Sequence, residues 1–266
     1  MLLVHTKTRT SLSGNVCAIK MNIIAFVIAG LFCGFIDSCL GMGFGVTSAS
    51  VLISFGVAPA IASASVHAAE AVVDIGSAIT HYKLGNVDFK ISKHMLLPGI
   101  PAAVLGAIFV SGLSLKVAKP FVQFTLLIMG LFILYRHIKD YNPKPGGMEK
   151  KKAMILGFVA AFVDVAVGGG WGPLGTPALI LSGEDPKISV GSIEFTEPII
   201  SLVAVLTFGL TIGFEKFMWD MTIPMIIGGL ILTPVAGILT TKIPRRLLGS
   251  LIGVWLILLN LWGLLS

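Results

Sequence analysis

Two stretches of this chain decide how it folds: GFIDSCLGMGFGVTSASVLISFGVAPAIASASVHAAE at 34–70 and AFVDVAVGGGWGPLGTPALILSGEDPKISVGSIEFTE at 161–197. They superpose without a gap at an offset of 127 residues, setting Asp37 on Asp164, Gly41 on Gly168, Gly43 on Gly170, Gly45 on Gly172, Pro59 on Pro186 and Glu70 on Glu197. Positions 30–80 give 14 identities in this register. Chance would supply about a quarter of that, so the chain is read as a duplication. Each stretch interrupts apolar sequence with a glycine cluster, and Pro173 and Pro177 remove amide donors in the second. A lone glycine is read more simply as a place where helices pack closely. Clusters at equivalent positions point instead to a helix that enters the bilayer, unwinds and continues as a second half-helix, with parallel repeats; a re-entrant or extra crossing at each break would make the repeats inverted.

The remaining sequence agrees with a membrane setting. Of 266 residues, 55% are hydrophobic and only 12% are charged, where a soluble chain needs about a quarter charged. Uncharged runs such as 38–69, 221–241 and 247–266 reach the roughly 20 residues that cross a bilayer. They lack the alternation of a membrane barrel strand, so they are helices. A soluble enzyme, a nucleic-acid binder and a disulfide scaffold are disfavoured, because the net charge of +6 sits in loops and three cysteines make no framework.

Eight spans are expected, at 22–54, 59–81, 94–112, 120–136, 153–181, 188–212, 221–241 and 247–265, the first and fifth with a break. The fold class is an all-α polytopic membrane protein of about eight transmembrane helices in two homologous four-helix halves, with a broken first helix in each. Its parts are a tail at 1–21, a first repeat at 22–138, a linker at 139–152 and a second repeat at 153–266. With eight spans, 13 Lys and Arg fall on one side and 6 on the other, which puts both termini in the cytoplasm. No small-residue cleavage site follows the tail, so no cleaved signal peptide is expected.

Six carboxylates fall inside these spans: Asp37, Glu70, Asp74, Asp164, Glu194 and Glu197. A charge at the bilayer centre costs about 2.5–3.5 kcal/mol, so all six must face the interior or water. His67, Glu70 and Asp74 stand at i, i+3, i+7 on one helix stripe, and Glu194, Glu197 and Ser201 repeat the stripe in the second half. Glu70 and Glu197 are read as proton carriers or gate residues, whereas Asp37 and Asp164, four residues before each break, serve either proton coupling or the repair of loosened backbone. The proton-coupling set is thus Asp37, His67, Glu70, Asp164, Glu194 and Glu197. No metal site or cofactor is expected, since no Cys or Met ligand stripe accompanies the acids. An intramembrane enzyme is not expected either, as no nucleophile with a base and an orienting group lies at the breaks.

At DSCLGMGFGVTSAS (37–50), SASVHAAE (63–70), HYKLGNVD (81–88), DVAVGGGWGPLGTP (164–177) and GEDP (183–186) the sequence resembles the TauE/SafE family of membrane permeases, over about 22–265. The resemblance implies export or uptake of sulfite, sulfoacetate or other organosulfonates across the cytoplasmic membrane. Half-helix N-termini at the breaks would present free amides to such an anion. The substrate-binding residues expected are Gly41, Gly43, Gly45, Thr47, Gly168, Gly169, Gly170, Trp171, Gly172 and Thr176. The leading expectation is a proton-coupled anion permease working by alternating access, with a small anion, protons and the bilayer as partners, no nucleic acid, and self-association left open. The rival keeps the fold and gives the acidic stripe to a divalent metal or organic cation.

Overall fold

The computed structural model describes residues 23–138, 146–239 and 245–265. The tail at 1–21 and the 139–145 part of the linker lie outside them. The described residues form α1 (Ile23–Leu40), α2 (Phe44–Ser54), α3 (Pro59–Lys83), α4 (Phe89–Gly112), α5 (Leu115–Ile138), α6 (Lys150–Val167), α7 (Trp171–Leu181), α8 (Pro186–Thr211), α9 (Trp219–Leu239) and α10 (Arg245–Leu265), with a 3-10 turn at Phe214–Lys216 before α9. Four of these, α1, α4, α5 and α8, are long and apolar enough to cross a membrane. Side chains such as Leu210, 88% exposed, and Ile23, 66% exposed, coat the outside with apolar surface that water would not tolerate over this area.

Helix ends follow local chemistry. Asp88 accepts the amides of Lys90 and Ile91 and so starts α4 at Phe89, five residues before the sequence-based boundary. Asp185 does the same for Lys187 and Ile188, with Pro186 as the first residue of α8. The bounds of α1 and α2 recur at α6 and α7 with the 127-residue offset: Ile23 with Lys150, Leu40 with Val167, Phe44 with Trp171 and Ser54 with Leu181.

The breaks do not pass the chain onward. Were α1 and α2 collinear, Cys33 and Ser48 would stand about 22 Å apart at the helical rise. The Ser48 hydroxyl instead lies 3.9 Å from the Cys33 sulfur. Ala25, Ala29 and Phe32 of α1 share a crevice of about 520 Å³ with Val51 and Leu52 of α2 and with Phe55 just after it. Lys152 and Val159 of α6 likewise line one hollow with Ala178 and Leu181 of α7. Each pair is therefore an antiparallel hairpin, and the expected straight continuation as a second half-helix is corrected. The cause lies in the glycines: Gly41 (φ 65°), Gly43 (φ 142°), Gly168 (φ 90°) and Gly169 (φ 156°) adopt backbone angles that turn the chain around and that other residues avoid.

Around the hairpins the long helices pair through small residues. Gly30 of α1 abuts the Met225 backbone of α9 and Gly34 abuts Gly229, so these two helices run parallel. Gly157 of α6 abuts Met95 of α4, and Gly106 of α4 abuts Phe162 and Ala166, again parallel. Such close approach is how helices gain packing energy in lipid, where the hydrophobic effect no longer drives them together. α3 and α8 run antiparallel through the interior, with Asn86 against Gly191 and the Asp88 amide donating to the Ser192 hydroxyl. α5 and α10 form a third antiparallel pair, with Gly130 against Leu256.

A side chain at Gly30 or Gly157 would collide with backbone. Gly30→Val and Gly157→Val are each expected to cost about 1–3 kcal/mol of stability by overpacking, read as a lower unfolding midpoint in detergent. Gly112→Ala, where a Cβ meets nothing within 4 Å, should leave the midpoint unchanged.

Candidate functional site

The two hairpin tips meet inside the protein, backbone against backbone. A Cβ on Gly45 would lie 2.9 Å from the Gly169 Cα, and one on Gly172 would lie 2.9 Å from the Met42 Cα. The Thr176 hydroxyl donates to the Gly41 carbonyl across the junction at 2.8 Å. Gly41, Gly43, Gly45, Gly168, Gly169, Gly170, Trp171, Gly172 and Thr176 are all buried here, while Thr47 is half-buried and faces the crevice between α1 and α2.

Each tip is held by the aspartate that precedes it. Four consecutive amides end on Asp164: Gly168 and Gly169 donate to its carbonyl at 2.7 and 2.9 Å, and Gly170 and Trp171 donate to its Oδ1 at 2.6 and 3.1 Å. Asp37 does the corresponding work, its carbonyl accepting from Gly41 at 2.6 Å and its Oδ1 from Phe44 at 3.3 Å. A carboxylate thus sits on the N-terminus of both α2 and α7, where the helix dipole favours negative charge. Any other anion reaching the Phe44, Gly170 and Trp171 amides must displace it. The Trp171 ring is fully buried and donates to the Thr196 hydroxyl at 3.1 Å.

His67 joins the second tip to α3. Its Nδ1 lies 2.8 Å from the Ser63 carbonyl, which can only accept, so Nδ1 carries a hydrogen. Its Nε2 lies 3.1 Å from Asp164 Oδ2. With Nδ1 already a donor, that contact needs a further proton, shared between the imidazole and the carboxylate. Glu70 is next in line, its Oε2 4.0 Å from His67 Nε2 and its Oε1 beside Gly45 of the first tip.

The other acids gather nearby. Oxygens of Asp37, Asp74 and Glu194 lie within 4.8 Å of one another, and all three residues are buried. Glu197 is buried with its Oε2 unbonded to protein. Sequence reasoning placed Asp37 on a break and Glu194 on a distant stripe, and did not bring them together with Asp74. One hint was present: the repeat sets Glu194 at the position of His67, so the partner of Asp164 foretells the partner of Asp37.

A helical bundle whose broken segments and buried carboxylates converge in its interior is the architecture of a membrane transporter. A sequence model described as "Sulfite exporter TauE/SafE" matches residues 26–262, and the chain belongs to that family. It is also 40% identical over 243 residues to the "Probable membrane transporter protein YtnM" of Bacillus subtilis (strain 168), an alignment covering 90% of this chain and 81% of that protein.

Removing the Asp164 carboxylate strands the Gly170 and Trp171 amides in a buried site. Asp164→Ala is expected to lower stability by about 1.5–3 kcal/mol, and Thr176→Val, which loses one neutral bond, by about 0.5–1.5 kcal/mol. Unfolding of the two purified variants in detergent, compared with the parent, checks the order.

Proposed function

We propose that the protein is a secondary permease moving a small anion, such as sulfite or an organosulfonate, across the cytoplasmic membrane by proton-coupled alternating access, with the substrate held between the two glycine-rich breaks. One observation carries this reading: the Asp164 carboxylate seated on the Gly170 and Trp171 amides. It occupies a place that suits a sulfonate oxygen equally well. Substrate and carboxylate cannot share those amides while both are charged. A proton passed onto Asp164 from the His67 pair, 3.1 Å away, releases the amides and removes the repulsion together. Glu70 and Glu197 relay that proton, so anion and proton bind as a set.

The frame suits such an exchange. The helix directions support inverted-topology halves, each a re-entrant hairpin followed by three longer helices, which rock about α3 and α8. Because a hairpin returns the chain to the side it left, Lys83, Lys90, Lys93, Arg136, Lys150, Lys151, Lys152, Lys187, Arg245 and Arg246 fall on one side, and Lys116, Lys119 and Lys216 on the other. The positive-inside rule makes the first side cytoplasmic and puts the start of α1 and the end of α10 on the outer side, where unbent spans put the chain ends in the cytoplasm. The convergence of Asp37, Asp74 and Glu194 favours a second reading, transport of a cation, in which loss of an acid abolishes binding instead of altering its pH dependence.

Glu70→Gln and Glu197→Gln are expected to flatten the pH dependence of sulfonate flux in proteoliposomes while the protein still inserts. An unaltered pH profile in both variants would remove the proton relay. For the sidedness, Ser182→Cys in the turn between α7 and α8, made with Cys17→Ser, should react with an impermeant maleimide only from the cytoplasmic side, as seen by comparing intact cells with inverted vesicles.

A further inference from the structure

The repeat gives each tip aspartate a partner on the opposite half, and the two partners differ in charge. Asp164 meets His67. Asp37 meets Glu194, which occupies the position of His67 at the 127-residue offset, and Asp74 closes the group where the second half has Ser201. At the positions the repeat matches, one set is thus Asp164, His67 and Ser201 and the other is Asp37, Glu194 and Asp74.

Three further observations point to a ligand at the all-acid group. Asp37 Oδ2 and Asp74 Oδ2 are buried without a hydrogen-bond partner. The fully buried Ser77 hydroxyl stands beside Glu194 and adds a fourth oxygen. Both carboxylate oxygens of Glu194 are likewise buried with no hydrogen-bond partner.

The geometry points to a binding site for a hard divalent metal cation, held by carboxylate oxygens of Asp37, Asp74 and Glu194 with the Ser77 hydroxyl alongside. Carboxylate and hydroxyl oxygens, with no sulfur or imidazole, select calcium, magnesium or manganese over softer metals. Two positive charges offset most of three negative ones, which a buried cluster requires. Asp37 would then bridge the metal through Oδ2 and the Phe44 amide through Oδ1, locking the first tip while the second remains free to exchange its carboxylate. The inference deepens the permease reading by naming an ion besides the proton, and rests on that reading for its role in transport but not for binding.

The test uses the full-length protein in detergent, stripped with a chelator and free of any sulfonate or sulfite. Thermal unfolding is followed against Mn²⁺, Ca²⁺, Mg²⁺ and Na⁺ separately, since a ligand bound only to the folded state raises the midpoint with concentration. A saturable rise with one or more divalent ions is expected in the parent. Glu194→His installs at Asp37 the pair that Asp164 already has, and should retain the fold while weakening metal binding by more than the roughly 10- to 100-fold that losing a metal's outer partner costs. Asp74→Ser copies the second half at the other corner and should weaken binding in the same direction, so the test survives if one variant does not fold. No response to any divalent ion in the parent, or an equal response in both variants, overturns the inference. A midpoint that rises with acidity and ignores metal also overturns it, leaving a proton shared between Asp37 and Glu194. Metal binding that persists when no sulfonate flux can be found would refute the permease reading and leave this site standing.

Discussion

Backbone that leaves helical geometry deep in a membrane protein must find its hydrogen bonds inside the protein, because lipid offers none. That constraint organises this molecule. Two turns reverse the chain in its interior, and in each the residue that begins the turn also satisfies it. Asp164 receives the amides of Gly168 through Trp171, two on its carbonyl and two on its carboxylate. With those donors satisfied, left-handed glycines can form a tight tip, and the tips are slim enough to press together with no side chain between Gly169 and the Gly45–Val46 backbone. The helices outside follow the same economy of size, since Gly30, Gly34, Gly106 and Gly157 let backbones approach where a side chain would hold them apart.

Charge is the second constraint, and here the halves part company. An acid stands at each tip and another on each interior helix, at Glu70 and Glu197. His67 stands on α3 and meets Asp164 of the second tip, and Glu194 stands on α8 and meets Asp37 of the first. A single residue type thus decides whether a tip aspartate has a proton-bearing partner or a second acid. Glu70 lies between the systems, with one oxygen by His67 and the other by Gly45 of the first tip.

How much of this was legible beforehand depends on whether the property is local. The helix positions were, because a run such as 221–241 has no other stable state in lipid, and the breaks were, because glycines recur at one offset. The direction of the chain after each break was not. Gly41 and Gly168 announce that a helix stops but leave open whether φ turns positive, and only the contact of Ser48 with Cys33 settles that it does. The sides given to the loop charges depend on that direction, since two hairpins in place of two crossings move only the loops between the breaks to the other side relative to the rest. The stripes of His67, Glu70 and Glu194, Glu197 were legible by helical period. The meeting of Asp37 with Glu194 was not, because it joins halves 157 residues apart in sequence and depends on how they interlock.

Asymmetry between otherwise matching tips bears directly on how such a protein can move. In the proposed cycle the Asp37 tip, tied through the inferred metal site, is the fixed one, whereas the Asp164 carboxylate alternates between being bonded to its amides and being released. Cores repack between discrete arrangements and do not deform continuously, so a two-state tip against a fixed one supplies both the switch and the surface it switches upon. The junction suits parting: where Gly45 meets Gly169 and Gly172 meets Met42 it is backbone on backbone, with the Thr176 to Gly41 bond across it. In the proposed cycle the anion itself compensates the one loss that would be costly, because it takes over the Gly170 and Trp171 amides as Asp164 gives them up.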